Sequence, residues 1–128
     1  MATKYFDAQT LSFYLKTINN LNDVLNLPYY QEHDMEGLDM FVQSVNDFAD
    51  KELFPYFQEM DEQACHFKDG KIIVHPQVET MMRKGGELGI ISASVPFDKG
   101  GLQMPLMVYT AATYILDAAN NHMPGYAG

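Results

Sequence analysis

The chain has 128 residues, enough for one domain with a sizeable core, and 47% of them are hydrophobic. Eight Lys and Arg against seventeen Asp and Glu give a net charge of −9. That argues against nucleic acid, which needs clustered cations to displace counterions. Cys65 is alone, so no intrachain disulfide is expected and a reducing compartment is favoured. No basic segment followed by an apolar run opens the chain, so no secretory signal is expected. The most apolar stretch, Leu102–Leu116, is too short and too interrupted by Gln103, Pro105 and threonines to span a bilayer. The expectation is a soluble, cytoplasmic protein without a membrane span.

In chain order, Asp7 reads as a helix cap, with Leu11, Tyr14, Leu15 and Ile18 following at helical spacing. Asn19-Asn20 stops that helix. Leu21–Leu27 makes a short turn of helix, and Pro28-Tyr29-Tyr30 reads as a loop. Asp34 caps the clearest amphipathic helix, whose stripe is Leu38, Phe41, Val42, Val45, Phe48, Ala49 and Leu53. Asp34, Glu36 and Asp39 suit the positive end of its dipole. Pro55 lacks a backbone donor and must break or kink this helix, which can resume over Tyr56–Gln63.

A non-helical insert is predicted at about 64–75, where Lys68-Asp69-Gly70-Lys71 has turn chemistry beside the β-branched run Ile72-Ile73-Val74. His75-Pro76 opens the next helix with Pro at its first position. Val78, Met81, Met82 and Leu88 should line its inner side, Gly85-Gly86 weaken it, and Gly89 end it as a left-handed cap. Ile90–Val95 reads as extended, followed by a loop at Gly100-Gly101.

From Ile90 to Gly128 the only charged residues are Asp98, Lys99 and Asp117. Leu102–Leu116 therefore reads as a helix covered on every side, by Leu38–Leu53 and Val78–Leu88 on one side and by further domains on the other. Asn120-Asn121 ends it, Asn121 is a candidate cap, and a last helix begins near Met123-Pro124. That helix reads as cut off after one turn.

The chemistry-bearing residues are sparse. His33, His66, His75 and His122 have no CxxC or HxxxH partners, so no metal is expected. No Glu-x-x-His pair supports a di-iron bundle, no G-x-S-x-G surrounds Ser92 or Ser94, and the glycines at 85–101 form no phosphate-binding loop. The remaining candidates are Met104, Met107, Met123, Tyr109, Tyr114 and Tyr126, which read first as core. Methionine is pliable enough to line an apolar ligand site.

Four phrases occur in a telling order: Phe48-Ala49-Asp50-Lys51-Glu52-Leu53-Phe54-Pro55, then Asp61, then Glu87-Leu88-Gly89-Ile90, then Val95-Pro96-Phe97-Asp98-Lys99-Gly100-Gly101-Leu102. In that order they resemble the N-terminal helical domain of the acyl-CoA dehydrogenase family, over about Leu38 to Gly128. The extra segment with Pro28-Tyr29-Tyr30, the Lys68–Lys71 insert and Met123-Pro124-Gly125 are similar to the long bacterial subgroup typified by 3-methylmercaptopropionyl-CoA dehydrogenase. Where that subgroup carries an Asn and a Gly-Asp, this chain has Phe57-Gln58-Glu59-Met60-Asp61.

The resemblance implies an all-α, up-and-down helical bundle at 34–128, truncated at its C-terminal end, with residues 1–33 as an extension packed on it. It implies a parent enzyme that removes an α-proton from an acyl-CoA thioester while the β-hydride passes to FAD. Its partners would be acyl-CoA, an electron-transfer flavoprotein, the remaining domains of the same chain and further copies of itself. The catalytic base and the main flavin-binding phrases match no residue here, so the domain alone should be inactive and hold no FAD. One wall of the acyl cavity does transfer, onto Met123, Tyr126, Ala127 and Gly128, with Tyr109 and Thr113 further back. The competing expectation is a free-standing helical interaction module.

Overall fold

Asp7 caps α1 (Ala8–Phe13), its carboxylate accepting the Thr10 N–H at 2.6 Å. The helix runs directly into a π turn, Tyr14–Ile18, closed by the Asn19 N–H on the Tyr14 carbonyl. The wider turn breaks the simple helical stripe, so Leu15 is buried while Tyr14 and Ile18 are exposed. Asn20, with φ 48°, then reverses the chain into α2 (Leu21–Leu25). Pro28–Tyr30 is a 3-10 turn rather than an open loop. This computed structural model describes residues 5–127.

The Asp34 carboxylate accepts the Gly37 N–H at 2.7 Å and starts α3 (Met35–Phe48), which buries Leu38, Phe41, Val45 and Phe48. The break at Pro55 begins ahead of the proline. A π turn at Ala49–Leu53 is followed by a 3-10 turn at Phe54–Tyr56 and then α4 (Phe57–Glu62). Loosening the helix by one residue lets Ala49 and Leu53 stay buried while the chain reorients around a residue without an N–H.

The insert is a hairpin of β1 (His66–Lys68) and β2 (Lys71–Ile73), antiparallel with Phe67 opposite Ile72. Asp69 and Gly70 both have positive φ, 51° and 79°, as a two-residue hairpin turn requires. All six strand residues are exposed, so the hairpin stands off the bundle.

His75 ties its base down: Nε2 bonds the Glu59 carboxylate at 2.7 Å and Nδ1 accepts the Gln77 N–H at 3.0 Å. That pairing requires the proton on Nε2. Pro76 is consequently the cap of α5 (Gln77–Glu87) and not its first helical residue. Val78 and Met81 are buried as the pattern predicts, but Leu88 is exposed. Gly89, at φ 74°, ends the helix.

Ile90–Val95 is not extended. Ala93 N–H to Ile90 and Val95 N–H to Ser92 wind it into successive turns, and Leu102, Gln103 and Met104 then bond back to Ser92, Val95 and Ala93. These backbone bonds keep Leu102–Met104 out of the helix, so α6 (Leu106–Asn120) begins only after Pro105. The same loop is anchored to the N-terminal segment. His33 Nε2 lies 2.9 Å from the Gln103 carbonyl and stacks on Phe97, while the Gln103 amide donates to the Tyr29 carbonyl at 2.7 Å.

The core is α6 packed on α3 and on the π turn at Ala49–Leu53. Val45, Leu53, Val108 and Ile115 have no exposure; burying a side chain of that size is worth about 1.5–3 kcal/mol. From the segment ahead of α3, Phe6 and Leu21 join this core. Within this chain α6 is covered by α3 on one side and open on another, as expected: Leu106 and Tyr114 are 66% and 51% exposed. α5 packs chiefly on the same π turn and on the last helix, α7 (His122–Ala127), instead of covering α6. The fold class is the expected all-α bundle. Among the described residues no helix is long and apolar enough to cross a membrane.

Candidate functional site

Tyr109, Thr113 and Leu116 recur at i, i+4 and i+7 on α6, which puts them on one face. The chain leaves α6 through a single residue, Asn121, before α7 begins at His122. Asn120 sets the angle of that corner. It is 3% exposed; its amide donates to the Leu53 carbonyl at 3.1 Å, and its Oδ1 accepts the His122 N–H at 3.1 Å. Asn121 stands at the cap position of α7, its carbonyl accepting the Gly125 N–H at 3.3 Å, and the Asn120 side chain takes up the first free N–H of that helix. The corner brings Met123, Pro124 and Ala127 over the Tyr109–Leu116 face, and Ile90 and Ile91 close the side. The result is a cleft of about 240 Å³.

Of the six residues singled out from the sequence, Tyr109, Thr113, Met123 and Ala127 line this one cleft. Met123 is fully buried and forms part of the core as well as the cleft's floor. Tyr126 is 41% exposed and does not line it; Gly128 lies outside the described residues. Ile90, Ile91, Leu116 and Pro124 were missed, because the turns that bring the two isoleucines alongside α7 have no local sequence pattern. Asn120 was read only as a helix stop. A polar residue at the last position of an otherwise apolar helix was the signal that it had a buried partner.

Chemically the cleft is simple. No charged side chain lines it, and the Thr113 hydroxyl is spent on the Tyr109 carbonyl of its own helix at 3.0 Å. Such a lining suits an apolar chain. It does not fit the pyrophosphate of a dinucleotide, which needs cations or a cradle of N–H donors. Among the described residues, the two groups with clearly shifted acidity lie elsewhere. Burial, then the hydrogen bond to Asp50 and its charge, push the Tyr5 phenol well above its usual range. The Thr10 backbone N–H holds the Asp7 carboxyl below its usual range.

Two larger depressions have other characters. One, about 430 Å³, runs between α3 and α5 and is lined by charged residues, of which Lys84 pairs with Glu52 and Glu87 with Arg83. The other, about 500 Å³, is an apolar groove between α1 and α6 beside Leu11, Tyr14, Leu106 and Tyr114. Among the described residues no cluster of three or more His, Cys, Asp or Glu could hold a metal ion.

An all-α bundle with an uncharged, apolar cleft at the corner of its last two helices is a helical domain that can wall a ligand without a charged group. Residues 35–126 match the family described as acyl-CoA dehydrogenase, N-terminal domain, and the chain belongs to that family. No curated protein matches it.

Proposed function

We propose that the chain is the N-terminal domain of a FAD-dependent acyl-CoA dehydrogenase and that the cleft of Tyr109, Thr113, Met123 and Ala127 is one wall of its acyl cavity. The observation that carries this is the uncharged, apolar corner between α6 and α7 in a chain whose family handles acyl thioesters. In such an enzyme FAD accepts the hydride; the residues here orient the acyl chain and keep water from it. The cleft does not fit a dinucleotide, and no step through the flavin or the base is assigned to this chain. An electron-transfer flavoprotein as acceptor, assembly with further copies, a cytoplasmic location and kinship with the 3-methylmercaptopropionyl-CoA subgroup complete the proposal.

The test is Ala127→Leu in the flavin-loaded enzyme containing this domain. Apolar pockets discriminate by about 1–3 kcal/mol per methylene. The substitution should therefore lower kcat/KM for longer acyl chains about tenfold more than for shorter ones. A flat chain-length profile in a folded, fully flavinated variant would refute the acyl wall. A second reading, a free-standing interaction module, draws on the exposed Leu106 and Tyr114 beside the α1–α6 groove. Under it, Leu106→Asp abolishes binding of a partner protein and leaves any acyl-chain profile unchanged.

A further inference from the structure

Glycine inside a helix weakens it relative to alanine, so Gly85 and Gly86 in the last turn of α5 need a reason. Gly86 is exposed, and a Cβ there would meet only Ile91 Cδ1 at an ordinary 3.9 Å. Gly85 is different. It is buried, and a Cβ there would lie 2.6 Å from Met123 Cε and 3.7 Å from Phe48 Cζ. The end of the Met123 side chain occupies the place a larger residue would need. Met123 otherwise has no exposure, and the open space it borders is the cleft.

We propose that Gly85 sets the depth of the acyl cleft, by letting the Met123 methyl retract against α5 instead of standing in the cavity. The inference rests on the acyl-wall reading above and makes Gly85 a positioning residue that acts through Met123. The thioether is unbranched with three rotatable bonds, so it responds to crowding by swinging and not by pushing the helices apart. An alanine at 85 leaves it the cleft to swing into. The cleft then loses depth at its floor, and the chain that fits becomes shorter.

The structural part is read in this 128-residue chain with methyl-labelled methionine. In the wild type the Met123 methyl should show proton–proton contacts to Gly85 and the Phe48 ring. In Gly85→Ala it should exchange these for contacts to Tyr109 and Thr113. A methyl that keeps its Phe48 contacts, with α5 displaced instead, overturns the proposal.

The functional part uses the flavin-loaded enzyme and straight-chain acyl-CoAs of increasing length. Gly85→Ala should lower kcat/KM for the longest accepted chain about tenfold relative to the shortest. Gly86→Ala should leave the profile unchanged. Pairing Gly85→Ala with Met123→Val, a side chain too short to reach the cleft, should restore long-chain activity, which a general loss of packing would not do. Should Gly85→Ala fail to fold, Met123→Val alone must extend the profile to longer chains, and an unchanged profile overturns the idea. Ala127→Leu separates the two claims. If it shifts the profile and Gly85→Ala does not, the Gly85 device is wrong and the wall stands; if neither shifts it, the wall itself is wrong.

Discussion

Replacing Asn120 by Ala removes a buried side chain that ties the α6–α7 corner to the π turn at Ala49–Leu53. The side chain is 3% exposed, donates to the Leu53 carbonyl at 3.1 Å and accepts the His122 N–H at 3.1 Å. A buried polar group left without its partner costs about 1–3 kcal/mol, and losing a cap costs about 1 kcal/mol. Together these give an expected loss of about 2–4 kcal/mol, toward the lower end because the half-buried His122 N–H recovers part of its share from water. For 128 residues at about 2.1 cal/mol/K per residue, the entropy of unfolding is about 0.27 kcal/mol/K. The melting temperature should accordingly fall by about 7–15 °C. Urea unfolding followed by circular dichroism should show a lower midpoint with an unchanged slope, since the same surface is exposed on unfolding. Amide exchange should rise first at the start of α7, where the His122 N–H loses its side-chain acceptor. Asn121→Ala is the control: that residue is exposed, and a surface change of this kind stays within about 0.5 kcal/mol. A loss below about 1 kcal/mol at 120, or equal losses at 120 and 121, would refute the reasoning.

Two further predictions concern the caps and loops. The Asp7 carboxyl titrates below its unfolded value of about 3.9. The stability it lends α1 is thus present above that value and lost as pH falls through the lower, folded one. Acid titration followed at the Thr10 amide should show α1 loosening over that range, and Asp7→Asn, which keeps an acceptor, should flatten the response; an acid-insensitive Thr10 amide would count against the cap. In the loop before α6, Gly100→Ala meets no atom within 4 Å but keeps φ 82°, a strain of about 1–2 kcal/mol. Gly101→Ala would put its Cβ 2.0 Å from the Val95 carbonyl oxygen, which forces the backbone to move and should cost more than about 3 kcal/mol. Urea midpoints rank the two, and equal losses would mean the loop relaxes freely.

Local chemistry is enough to place most of the elements. Asp7 and Asp34 announce their helices because a short carboxylate beside free N–H groups is favourable in any context. Asp69-Gly70 announces the hairpin because few residues tolerate two successive positive φ values. The stripe Leu38, Phe41, Val45 and Phe48 needs only helical periodicity to define the face that becomes the core. Family membership was legible for a similar reason, since its phrases sit at helix ends and glycine turns, where backbone geometry restricts the residue directly.

Departures from the sequence reading lie where a distant group competes with local preference. Apolar composition alone extended α6 back to Leu102, but those residues spend their N–H groups on Ser92, Ala93 and Val95. Composition could say that Leu106–Asn120 is apolar, not that α5 would pack on the π turn and on α7 instead of covering it. The π turn after Phe13 shifts the helical phase and leaves Tyr14 and Ile18 exposed, and nothing short of the packed core selects it or the one after Phe48. Of the cleft, sequence by itself determined that apolar, pliable side chains would gather near the end of the chain. That Asn120 bends the corner, that Ile90 and Ile91 close it and that Gly85 gives Met123 room were decided only in the tertiary structure. Each of these is a contact between residues far apart in the chain, whose energy depends on where two backbones meet and not on what either segment prefers alone.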